Sequence, residues 1–258
     1  MAWFDAGVNL LDARFDANDV ISRAVNAGVT KMCIISTHPN EWERARQLYE
    51  AYPEHLCYTV GVHPHNAKDV TEQDLSRLKE VARAPGVVAI GECGLDFNRD
   101  FSPRPTQKSV FEAQLSIALE LQLPVYLHER EAFDVQVACL QVVIDKLPGG
   151  IAHCFTGNAD QVKAYLDMGL YIGITGWVCD EKRGGDLREA LGHIPHDKLV
   201  LETDAPYLFP KTLRPRKRNN EPAFLPHIGE QVSGLLTLDT DKLQTSSYAN
   251  TCRLFSLK

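Results

Sequence analysis

The feature that most limits what this chain can fold into is a repeated alternation. Eight short apolar, β-branched runs, at 4–10, 31–37, 56–62, 87–92, 124–128, 150–155, 171–176 and 198–202, read as strands. Between them lie amphipathic stretches with helical spacing, at 19–27, 41–52, 72–84, 107–121, 132–147, 159–169 and 186–192, and 239–258 reads as a closing helix. Several runs, such as Val87-Val88-Ala89-Ile90, are apolar on both faces, as parallel strands covered by helices should be. Eight strand–helix units in 258 residues match the usual size of a (β/α)8 TIM-type barrel. A doubly wound open sheet has the same alternation. The count of eight and the absence of G-x-G-x-x-G after the first run favour the barrel. No linker composition divides the chain, so 1–258 reads as a single α/β domain.

Composition narrows the function classes. With 27 Lys+Arg against 34 Asp+Glu the net charge is −7, which excludes a generally basic nucleic-acid coat but not a local cationic patch. No run of 18 apolar residues is present, and the first residues lack the charged and apolar regions of a signal peptide. Seven cysteines without a C-x-x-C pair make neither a disulfide framework nor a cysteine zinc site. The expectation is a reduced, cytoplasmic protein that is large enough to act as a monomer.

Chemically useful side chains collect at the ends of the runs. Glu92 and His128 are 36 residues apart, His128 and His153 are 25, and His153 and Asp204 are 51, or one, one and two strand–helix repeats. In a barrel such ends form the face where active sites are built. Two imidazoles and two carboxylates suit Zn²⁺, Mn²⁺ or Mg²⁺. A single His or Glu at a strand end is more often a satisfied structural residue, and Asp204 alone could cap a following helix. It is the repeat spacing of all four that argues for a site. Cys93 and Cys154 adjoin these positions but point to the opposite strand face and read as packing. His63-Pro64-His65 could be a metal pair, but Pro64 suggests a loop, so both histidines read as substrate contacts. Lys211-Thr212-Leu213-Arg214-Pro215-Arg216-Lys217-Arg218 follows the last strand. Such a run is often only a solvated loop, but here, with Arg130, it points to phosphate.

Gly61–His65 (GVHPH), Ala89–Asp96 (AIGECGLD), His153–Gly157 (HCFTG), Tyr171–Cys179 (YIGITGWVC) and Leu201–Leu208 (LETDAPYL) closely resemble the TatD family of metal-dependent deoxyribonucleases. Asn219-Asn220-Glu221-Pro222 with Pro226-His227 resembles a further family segment, so the likeness spans the chain. It implies an amidohydrolase-like (β/α)8 barrel and a 3′–5′ exonuclease acting on single-stranded DNA and RNA. It also implies metal ligands at Glu92, His128 and His153, a metal-binding or proton-handling Asp204, and His63 in the substrate pocket. The His-x-His that many members carry on the first strand is here Gly7-Val8-Asn9, which puts a second metal in doubt and favours Mg²⁺ or Mn²⁺ over tightly held Zn²⁺. Trp177 or Phe97 would stack a terminal base. The rival readings are a small-molecule amide or ester hydrolase, an aminoacyl-tRNA deacylase, and a degenerate barrel that only binds.

Overall fold

Strand and helix alternate along residues 2–257, which the computed structural model describes. The strands are β1 (Trp3–Val8), β2 (Val29–Ile34), β3 (Leu56–Val60), β4 (Val87–Asp96), β5 (Val125–Arg130), β6 (Gly150–Ala152), β7 (Tyr171–Ile174) and β8 (Leu199–Leu201). The helices are α1 (Ala17–Asn26), α2 (Trp42–Ala51), α3 (Glu72–Val81), α4 (Arg104–Leu121), α5 (Phe133–Gln141), α6 (Ala159–Asp167), α7 (Gly185–Leu191), α8 (Leu225–Leu236) and α9 (Thr240–Leu254). The strands follow one another in chain order, β1 to β8, and β8 adjoins β1. A doubly wound sheet reverses its strand order partway along. Sequential order is the connectivity of a (β/α)8 barrel.

Each run read as a strand contains one, with shifted bounds. β2 begins two residues early, because Val29 and Thr30 continue its β-branched pattern. β4 runs four residues past Glu92 to Asp96. The stretch 132–147 is not one helix: α5 stops at Gln141 and a separate 3₁₀ turn covers Ile144–Lys146. α8 was not anticipated. Its buried Leu225, Ile228 and Val232 have helical spacing, and Pro226 sits in the first turn, where its missing N–H removes no helical bond.

The chain packs as two compact units, one carrying β1, β2, β7 and β8 and the other β3 to β6. In the first, the buried Phe4 ring meets Tyr248 at 5.7 Å and Phe255 at 6.1 Å, fastening α9 to β1. Burial of such a side chain contributes about 1.5–3 kcal/mol. In the second, Trp42 of α2 is buried and its indole N–H donates to the Gly61 carbonyl at 3.0 Å. Among the described residues all seven cysteines are free, and no helix is long and apolar enough to cross a membrane.

Asp5 is a fully buried carboxyl of the first unit. Its Oδ1 accepts the Thr203 N–H at 2.8 Å and the Gly7 N–H at 3.2 Å, and the Thr203 hydroxyl donates to Oδ2. Burial pushes the carboxyl up to about 7, against the pull of those donors. A folded state that holds its proton more tightly than the unfolded chain loses stability as pH rises from about 4 to about 7. The full cost is about 4 kcal/mol. Asp5→Asn keeps an acceptor for the two amides and has nothing to titrate. Urea unfolding should therefore show the native chain losing about 2–3 kcal/mol relative to Asp5→Asn between pH 5 and pH 8. An equal response of both proteins to pH would refute the assignment.

Candidate active site

The second unit holds the densest set of ligand-type side chains. Because side chains alternate along a strand, Glu92 and Asp96 of β4 share a face. In the β4–β5 register Gly94 lies opposite His128 and Asp96 opposite Arg130. Gly94 has φ +140°, and a Cβ there would strike the His128 carbonyl oxygen, so only glycine lets the two strands approach this closely. His63 precedes a 3₁₀ turn, Pro64–Asp69, and caps it through Nδ1, which accepts the N–H of His65 inside that turn. His153 follows β6, and its amide donates to the Leu127 carbonyl at 2.9 Å.

These elements converge on the buried Glu92 carboxylate. Its Oε1 lies 2.9 Å from His128 Nδ1, 3.6 Å from His63 Nε2 and 3.8 Å from His153 Nε2. One ligand atom each from His63, Glu92 and His128 lies within 4.8 Å of the others. The Tyr126 hydroxyl bonds His153 Nδ1 at 2.8 Å, which turns the Nε2 of that ring toward Glu92. Asp96 Oδ2 lies 3.3 Å from His128 Nε2 and 2.7 Å from His65 Nε2.

Charge follows from this packing. Burial pushes Glu92 up, but His63, His153 and His128 outweigh it and hold the carboxyl well below the usual range. Asp96 is likewise lowered, its burial outweighed by the bonds to His128 and His65. Burial opposes the charged form of His128, yet Asp96 and Glu92 raise it to about 9. His63, buried and facing that cation, is pushed down to about 3 and stays a neutral donor. Burial and the charge of Glu92 raise the Cys93 thiol, leaving it inert. Three imidazoles around one carboxylate, with further carboxylate and phenol groups holding the rings, are a donor set that fits a divalent metal.

Two buried glutamines of α4 set the strand ends. Gln107 accepts the Asp96 N–H at 2.9 Å and donates to the Asp96 carbonyl at 3.0 Å. Gln114 accepts the Val62 N–H at 2.7 Å and donates to the Val62 carbonyl at 3.0 Å. Each amide thus grips the backbone N–H and C=O of one residue, as a neighbouring strand would. Asp96 and both glutamines were missed by the sequence reading. Asp96 was legible from its i+4 spacing to Glu92; the glutamines resemble any polar positions on an amphipathic helix.

The other expected residues fall as follows. Glu92, His128, His153, His63 and His65 are together in this unit, and Arg130 ends β5 beside Asp96. Asp204 belongs to the first unit, with φ +53°, an amide donating to the Gly7 carbonyl at 2.9 Å and Oδ1 accepting from Asn9 Nδ2 at 3.0 Å. No helix begins there, so it is not a cap. The Phe97 ring carries the Arg104 guanidinium at 4.6 Å. Phe101, not singled out from sequence, is 54% exposed and meets the His65 ring at 4.8 Å.

Asp96→Asn removes a charge that holds both His65 and His128. Partners of this kind cost about 10–100-fold in metal affinity or activity when replaced. Calorimetric titration with Mn²⁺ or Zn²⁺ should show a loss in that range, and unchanged affinity would refute the supporting role of Asp96.

The model of the family described as TatD related DNase matches residues 4–256. The 3′-5′ ssDNA/RNA exonuclease TatD of Pantoea vagans is 50% identical over 258 residues, covering 98% of this chain and 99% of that protein. The protein of the same name from Salmonella typhimurium is 48% identical over the same shares. The crystal structure of YjjV, a TatD homologue from Escherichia coli, superposes with a TM-score of 0.90 at 27% identity, covering 99% of this chain and 98% of that one. A match over nearly every residue, with relatives about half identical along their whole length, establishes that the chain belongs to the TatD family of DNases.

Proposed function

We propose that this protein is a divalent-metal-dependent 3′–5′ exonuclease hydrolysing phosphodiesters of single-stranded DNA and RNA. The observation that carries the reading is the buried Glu92 carboxylate ringed by His63, His128 and His153, in a chain whose family and named relatives are nucleases. Neither compact unit carries the complete strand set, which supports reading 1–258 as one catalytic domain. Seven free thiols, most of them buried, suit the reducing cytoplasm.

Glu92, His128 and His153 would hold the metal, with His128 giving up the Nδ1 proton that faces Glu92. His63, expected as a substrate contact, faces the same carboxylate oxygen; with its ring proton moved to Nδ1, at the cost of the bond from the His65 amide, its Nε2 would complete the ligand set. Three imidazoles to one carboxylate favour Mn²⁺ or Zn²⁺ over the Mg²⁺ expected from sequence. A metal held there supplies Lewis acidity to a phosphodiester oxygen and to water. Asp204 takes the proton of the attacking water, its carboxylate oriented by the Asn9 amide. Arg130 offsets charge that builds on the phosphoryl oxygens, and His65, held by Asp96, meets the substrate.

The test is a time course of 5′-labelled single-stranded DNA with Mg²⁺, Mn²⁺ or Zn²⁺, with and without chelator, beside the same strand blocked at its 3′ end. Stepwise shortening that both chelator and block abolish is expected. Glu92→Ala should lose more than about 100-fold, beyond the range for supporting groups, with an unchanged far-ultraviolet spectrum. Cleavage indifferent to chelator, or full activity in Glu92→Ala, would overturn the metal assignment, and indifference to the block would overturn the polarity.

A further inference from the structure

A second polar site lies wholly within the unit that carries β7 and β8. It is a cavity of about 330 Å³, walled by the 3₁₀ turn Gly176–Cys179 after β7 and by the segment that follows β8. Arg183, Lys211, Arg216 and Lys217 line it, four cations against the single carboxylate of Asp180. Trp177 and Phe209 add aromatic rings. In a chain of net charge −7 this is a local reversal of sign.

Two of the cations, Arg183 and Lys211, are fixed in place. The Asp180 side chain is only 3% exposed, and its Oδ2 lies 2.7 Å from both Arg183 Nε and Lys211 Nζ. The Arg183 guanidinium rests over the Trp177 ring at 4.3 Å. Lys217 reaches Glu221 at 3.3 Å, while Arg216 is exposed. A Cβ on Gly176 would run into the Leu208 carbonyl oxygen, so glycine lets the two walls close on each other. Burying a carboxylate to hold two cations at a cavity wall makes sense for an anionic occupant, since cations placed beforehand lose little freedom on binding. A volume near the lower end of ligand pockets, about 300–1,000 Å³, limits that occupant to roughly one nucleotide. Cations beside aromatic rings are how single strands are held without reading sequence.

We propose that this cavity is a strand-holding subsite that takes one nucleotide unit of a single-stranded nucleic acid, its base against Trp177 and its phosphate against Lys211 and Arg216. The ligand class rests on the nuclease reading. The site itself can be tested without turnover.

Full-length protein in chelator is titrated with oligothymidylate while tryptophan emission and the anisotropy of a labelled strand are followed. Trp3 and Trp42 are buried, so quenching by the strand should come from Trp177 and vanish in Trp177→Phe. Arg216→Glu should weaken binding about 10-fold at low salt, and Arg216→Ala should lower the slope of log affinity against log salt by about 0.7, one phosphate contact. Lys163→Ala, the same charge removed from α6, should change neither. The subsite is overturned if Arg216→Ala behaves like Lys163→Ala, if emission ignores the strand, or if inorganic phosphate alone gives the full response. If the strand binds as described but is not shortened with any metal, the nuclease reading fails and the subsite stands; shortening without the Arg216 effect has the opposite meaning.

Discussion

A carboxylate taken out of water costs several kcal/mol unless charge and hydrogen bonds replace its hydration. Glu92 meets that demand with imidazoles delivered from three other segments, and this fixes much of the second unit. β5 must approach β4 closely enough for His128 to reach both Glu92 and Asp96, which is why Gly94 stands between them. β6 must end where Tyr126 can turn the His153 ring inward. The chain leaving β3 must bend at Pro64, so that His63 faces in and His65 reaches Asp96. Each local feature is ordinary; their shared target makes them one constraint.

The helix layer takes part through side-chain amides. α4 shows little contrast between its faces, because Gln107 and Gln114 are buried among its apolar residues. Unpaired, each would cost about 1–3 kcal/mol, but each satisfies both backbone groups of one residue just where a strand runs out of neighbours. The residues held are Asp96 itself and Val62, the residue before His63. A helix on the outside of the sheet thereby sets positions on its functional rim.

The fold was legible because its signal is redundant. Eight runs with the right spacing outweigh errors in any one, such as the late start assigned to β2 or the helix drawn through Ala132 to Leu147. α8 was not legible because Pro222 and Pro226 read as helix breakers, although Leu225, Ile228 and Val232 keep helical spacing. Glu92, His128 and His153 were legible as residue types at repeat intervals. His63 was read as a loop residue because of Pro64, and the structure shows that a short turn can present a ring toward Glu92 as firmly as a strand. Gln107 and Gln114 carry no mark in a single sequence, since only the strand end they face distinguishes them from solvated glutamines.

The bond between Asp5 and Thr203 joins residues 198 positions apart, and it sits one residue before Asp204. Contacts of such separation must overcome a long loop closure before they return any free energy. During synthesis β1 therefore emerges with its acidic side chain long before the segment that satisfies it exists. The first strand waits, and the loop that carries Asp204 gains its shape only when the last strand arrives. A chain cut short before β8 would contain every imidazole of the Glu92 cluster and still lack a finished end on β1. Assembly of the β1–β8 seam acts as a checkpoint: the Asp204 carboxylate is held beside Asn9 only in a chain that already includes β8.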